Sequence, residues 1–264
     1  MPLEYVDDLR PAAWIAERLH PFAQDAGAII PPGFDAYARI FHPATRLVGR
    51  TEVPVTWREI ADANLRAHHS EMQFGALVTR VGTSTRDREA QTGLFDRWPQ
   101  VGSLPLELAR ALVIVLRDRT TTPERCWFAA WEGWGDPSSA QVVFQTLGGS
   151  NDAPIPPPWT LIERPKRPTF KIPGRGYYIG RGHLTAALET VYGVVQHYQS
   201  PSIWWPDDRA WCVATEVDFD WTYVGGSAEC IAAVLAQPGL EALAARLSDG
   251  VHWDSDPLNP APPR

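Results

Sequence analysis

Residues 211–224, WCVATEVDFDWTYV, alternate with a period of two over fourteen positions, and few folds accommodate that. Successive side chains of a strand point to opposite faces. One face takes Trp211, Val213, Thr215, Val217, Phe219, Trp221 and Tyr223, and the other takes Cys212, Ala214, Glu216, Asp218, Asp220, Thr222 and Val224. The pattern predicts one extended strand of an antiparallel sheet, with an aromatic core side and a solvated acidic side.

The rest of the chain mixes helix and strand signals. Pro11 opens a short helix over 11–19, and AYARIF (36–41) reads as a strand. Thr56 and Glu59 form a capping box, with Val55 and Ile60 at the hydrophobic-staple positions, so a helix starts at 57. FGALVTRV (74–81) reads as a strand and LELARALVIVLR (106–117) as a central helix buried on most sides. RCWFAAW (125–131), AQVVFQTL (140–147) and YYI (177–179) are β-rich. Leu188, Val191, Tyr192 and Val195 have helical spacing, Ser227 caps a helix over 228–236, and Leu240, Leu243, Ala244 and Leu247 fit a final one. No regular βαβ alternation appears. The expectation is an α+β fold, a largely antiparallel sheet packed with helices. Residues 1–264 read as one domain, or as two close lobes divided in the proline-rich stretch 148–176.

Charge and cysteine content narrow the function classes. The net charge of −7 disfavours nucleic acid and anionic lipid as partners. The longest notable aliphatic run, ALVIVL (111–116), is too short to span a bilayer, and the N-terminal residues lack a signal-peptide pattern. Cys126, Cys212 and Cys230 show no CxxC spacing, which suits the reducing cytoplasm.

The acidic candidates lie in 202–227, which holds four of the twelve tryptophans and five carboxylates. Glu216, Asp218 and Asp220 stand roughly 7 Å apart along a strand, too far to meet one ion unaided. Asp207 and Asp208, beyond a turn at Pro206, join them only if the chain folds back. The letters DFD are similar to the DxD element of metal-dependent glycosyltransferases, a weak signal in an acidic region. No histidine or cysteine spacing marks a metal site, so neither metal nor cofactor is expected. Residues 163–183 carry six Lys/Arg against one Glu, a net +5, whereas 207–256 carry ten acids against two arginines, a net −8. The basic segment is therefore expected to fold onto the acidic one. Its GRG repeats with Tyr177 and Arg181 offer the competing reading of an anion site.

The segments PSIWWPDDRAWCVATEVDFDWTYVGGS and LARALVIVLRDRTTTPERCWFAAWEGWG resemble an uncharacterised family of actinobacterial hypothetical proteins, across most of the chain. That resemblance implies no activity, and there is a loose likeness to α+β toxin-immunity proteins. The reading is a non-catalytic binding or protein-interaction module for a protein or small-molecule ligand. Trp204, Trp205, Asp207, Asp208, Tyr177 and Arg181 are the candidate contact residues. The alternative is a hydrolase or transferase with an acidic, metal-assisted site at Asp207, Asp208, Glu216, Asp218 and Asp220.

Overall fold

In a computed structural model, residues 3–19, 21, 25–78, 93–134, 161–194 and 197–259 are described. Their strands are β1 (Glu4–Tyr5), β2 (Ala36–Phe41), β3 (Ala44–Val48), β4 (Thr51–Val55), β5 (Cys126–Trp131), β6 (Leu161–Ile162), β7 (Phe170–Ile172), β8 (Arg175–Gly182), β9 (Gly193–Val194), β10 (Ile203–Pro206), β11 (Trp211–Thr215), β12 (Trp221–Gly226) and β13 (Ala242–Ala245). The helices are α1 (Ala13–Arg18), α2 (Trp57–Ala63), α3 (Phe74–Leu77), α4 (Leu106–Arg117) and α5 (Ala228–Leu235). Nine strands form one antiparallel sheet in the order β1-β8-β5-β10-β11-β12-β2-β13, with β7 also paired to β8. The fold is α+β. Strands from both sides of the 148–176 stretch join this sheet. The segments 140–147 and 148–160 lie outside the described residues.

The alternating stretch is a hairpin and not one strand. Residues 216–220 turn, held by Phe219 N–H donating to the Glu216 carbonyl (3.1 Å), and Thr215 pairs with Thr222. An odd position therefore faces an even one across the hairpin. Trp211 and Val213 share a face with Val224, while Trp221 and Tyr223 join Cys212 and Ala214 on the opposite face. Neither face is wet. One is covered by α4 and α5, and the other by α1, α2 and α3. A sheet with helices on both faces needs apolar residues at consecutive positions, so alternation here did not mark an inside and an outside.

Local signals held where they were strongest. Thr56 and Glu59 form the capping box of α2, and Val55 and Ile60 are buried in one core cluster. Helix α4 spans the expected residues, although Ile114 faces solvent at 58% exposure. Ser227 caps α5 by accepting from Cys230 N–H at 3.1 Å.

Three elements differ from the sequence reading. Residues 74–77 are helix α3 and not strand, because Phe74 and Leu77, three apart, both enter the core; 79–81 lie outside the described residues. Around Leu188 the chain forms a 3-10 turn (Leu184–Leu188) capped by His183, then leaves it for the short strand β9. The expected C-terminal helix is the edge strand β13. Gly239 at φ +86 redirects the chain after α5, and the open edge of β2 then captures it. Leu243, Ala245 and Leu247 pack on one side of the sheet, while Leu240 and Ala242 pack on the other, so the same apolar residues fit a period of two.

Candidate functional site

A cleft of about 730 Å³ opens where β2 and β13 leave the sheet beside the β3–β4 hairpin and the first turns of α2 and α4. Phe41, Trp98, Leu108 and Leu240 line it with apolar surface, together with Pro43, Pro54 and Pro105. Pro43 and Pro105 stand where the chain passes between elements, and Pro54 lies within the two-stranded β3–β4 hairpin.

The walls are fixed by long-range polar contacts. Glu241, at the foot of β13, holds the start of α2: its Oε2 accepts from Trp57 N–H (2.6 Å) and its Oε1 from Arg58 N–H (2.7 Å). His68 Nε2 lies 2.9 Å from the same Oε1. A carboxylate at a helix N-terminus satisfies orphan amides and the helix dipole together. Below it, His42 is fully buried, with Nδ1 2.7 Å from the Gln100 carbonyl and Nε2 2.9 Å from Thr222 Oγ1. The carbonyl can only accept, so Nδ1 carries the proton and Nε2 accepts from Thr222. Burial pulls the His42 pKa down to about 4. Behind Phe41 lies Arg39, fully buried, its guanidinium 4.9 Å from the Phe41 ring and 3.9 Å from that of Trp221. Nη1 donates to the Ser70 carbonyl at 2.7 Å, and burial lowers the Arg39 pKa.

Charge at the cleft mouth is unevenly matched. Arg97 pairs with Glu52, and Glu107 pairs with Arg110 at 3.5 Å. Arg58 makes no ion pair among the described residues, and its exposed side chain stands at the rim beside Glu241, whose carboxylate accepts from the Arg58 N–H.

The sequence-derived residues do not meet at one place. Trp204 and Trp205 are each 1% exposed and pack into opposite cores, so neither offers surface. Tyr177 is buried, and Arg181 pairs with Glu4 at 3.0 Å. Asp207 accepts from Trp127 Nε1 (3.0 Å), and Asp208 from Thr120 Oγ1, Thr121 N–H and Thr121 Oγ1 at 2.7–2.9 Å. Those donors hold Asp208 below the ordinary carboxylate range in spite of its burial. Glu216, Asp218 and Asp220 sit at the other end of β11, a strand of five residues and so roughly 17 Å long. Glu216 is buried against Arg175, which also reaches the exposed Asp218 at 3.2 Å. Desolvation raises the Glu216 pKa although Arg175 opposes it.

Of the basic 163–183 segment, Arg175 engages the acidic stretch, whereas Arg167 pairs with Asp7 and Lys171 with Glu132. The segment does fold back on its own molecule, onto a wider set of acids than expected. Its GRG glycines lie at the β7–β8 turn and within β8.

Sequence reasoning missed the cleft because its lining comes from residues 41–58, 97–108 and 239–241. The capping box and the prolines were its visible parts. Among the described residues no group of three or more His, Cys, Asp or Glu is placed to hold a metal ion, and no helix is long and apolar enough to cross a membrane. In comparisons with protein-family models, curated proteins and solved structures, nothing matches this chain.

Proposed function

We propose that this chain is a cytoplasmic, non-catalytic binding module whose ligand enters the cleft between β13, the β3–β4 hairpin and the start of α4. One observation carries the reading: an apolar concavity of about 730 Å³ with an arginine outside any ion pair at its rim, held in shape by the contacts of Glu241 to the start of α2. Ligand sites combine an apolar lining with a few fixed polar groups in this way, in volumes of about 300–1,000 Å³. Such a cleft suits an apolar or aromatic group that carries a negative charge.

The test uses 1-anilinonaphthalene-8-sulfonate, an aromatic sulfonate whose emission rises in apolar surroundings. Saturable binding at one site per chain is expected, weakened several-fold by Arg58→Ala and abolished by Leu240→Asp. Binding that ignores both variants while they melt like the parent would refute the cleft.

A second reading, a hydrolase or transferase using Glu216, Asp218 and Asp220 with Asp207 and Asp208, draws on the buried Glu216 carboxyl and its raised pKa. The separation of the two acidic turns along β11 counts against it. Turnover of p-nitrophenyl acetate or p-nitrophenyl phosphate that disappears in Glu216→Gln would favour it.

A further inference from the structure

The cleft continues directly into an open sheet edge. Gly239, Leu240 and Glu241 line the cleft, and β13 begins at the next residue. Among the described residues β13 is the last strand of the nine and pairs with β2 alone. Phe41 N–H donates to the Glu241 carbonyl at 2.9 Å, so the 41/241 pair is a hydrogen-bonded one. Antiparallel pairs alternate, which makes Arg39/Leu243 and Tyr37/Ala245 the next hydrogen-bonded pairs. The N–H and C=O groups of Ala242 and Ala244 therefore point away from β2. They make no hydrogen bond to any described residue.

Natural sheets blunt such edges with proline, lysine, bulges or a covering element. β13 has the sequence Ala-Leu-Ala-Ala, without any of those side chains, and Ala244 is exposed. Two outward residues, roughly 7 Å apart, present two donors and two acceptors in the spacing of a strand ladder. An extended chain that pairs with them antiparallel and continues past Ala242 runs along Glu241 and Leu240 to the cleft mouth. There its next side chain meets the apolar lining, beside Arg58.

We propose that the ligand is an extended peptide segment, added as a tenth strand on β13, with a large apolar residue in the cleft and an acidic group near Arg58. Main-chain bonds would supply affinity and the cleft specificity, as in other cases of strand addition. This inference rests on the cleft being the binding site and adds the class of ligand to it.

The experiment selects binders for the full chain from a displayed library of random decapeptides, then measures the enriched sequences as fluorescein-labelled peptides. Enriched peptides are expected to join a large apolar residue to Asp or Glu and to lack proline in the paired stretch. Ala244→Pro removes an outward N–H without touching the β2 ladder and should weaken binding tenfold or more. N-methylating alternate peptide residues should do the same in one of the two phases, which keeps the test intact if Ala244→Pro misfolds. Arg58→Ala should also weaken binding. Absence of enrichment, or peptide binding indifferent to both Ala244→Pro and N-methylation, overturns the inference. If the aromatic sulfonate still binds in an Arg58-dependent way in that case, the cleft reading survives alone; if neither probe binds, both fall.

Discussion

The two edges of the nine-stranded sheet are finished in different ways. At one edge β8 is covered by fragments: β1 gives two residues, β7 three, and the ion pairs Arg181–Glu4, Arg167–Asp7 and Lys171–Glu132 surround them. Tyr5 locks that cover by donating to the Val191 carbonyl at 2.7 Å, with its ring 6.4 Å from that of Tyr178. At the other edge, β13 has backbone groups that no described residue pairs, beside an apolar cleft. The open edge is nevertheless built on the heavier packing. Trp57, fully buried, sits among Phe41, Phe74 and Trp221 and donates from Nε1 to the His42 carbonyl at 2.6 Å. The open edge thus stands beside a densely packed aromatic cluster.

Replacing Trp57 by Ala should cause the largest loss, about 4–5 kcal/mol, since a large cavity and an orphaned carbonyl arise together. Chemical denaturation checks this, and a loss under about 2 kcal/mol would mean that the cleft wall is soft. Acid should act on the same end. The folded His42 pKa, about 4, lies below the ordinary 6.5, so the unfolded chain takes the proton first. His42 therefore adds no penalty above pH 6.5, and its contribution falls by about 3 kcal/mol as pH drops from about 6.5 to 4. Stability curves of the parent and His42→Gln should converge in slope above pH 7 and diverge below it.

At the covered edge Tyr5→Ala should cost about 2–3 kcal/mol, because the ring is only partly buried. Freed of that lock, β8 should also become prone to edge pairing, visible as concentration-dependent light scattering. Arg181→Ala should cost less than about 1 kcal/mol and lose even that in high salt, since both partners are more than half exposed. Ala244→Lys should change stability by no more than about 0.5 kcal/mol. A large loss from that substitution would show that something already covers β13.

The same contrast explains what the sequence revealed. The α2 capping box lies within four residues, Thr56 to Glu59, and Ser227 meets Cys230 three residues on, so local chemistry names both helix starts. The partner that completes the α2 start, Glu241, is 184 residues from Trp57, and nothing near either residue announces the other. The hairpin at 211–226 was hidden because a sheet covered on both faces makes either parity apolar, so the turn at 216–220 did not disturb the pattern. β13 was hidden because its leucines and alanines suit a helix, and only the vacant edge of β2 decides for a strand. Tryptophan density misled at Trp204 and Trp205, expected as contact residues: with Trp211 they are among the largest fully buried side chains, because a sheet covered on both faces buries indoles of either parity.

The most direct measurement is an amide ¹⁵N–¹H spectrum of the chain titrated with 1-anilinonaphthalene-8-sulfonate. Shifts are expected at Thr45, Arg58, Arg97, Leu240 and Glu241, which line the cleft, with Ala242 next in line. Shifts gathered instead at Asp207–Ala210 or Glu216–Asp220, with the cleft amides unmoved, would contradict binding in the cleft.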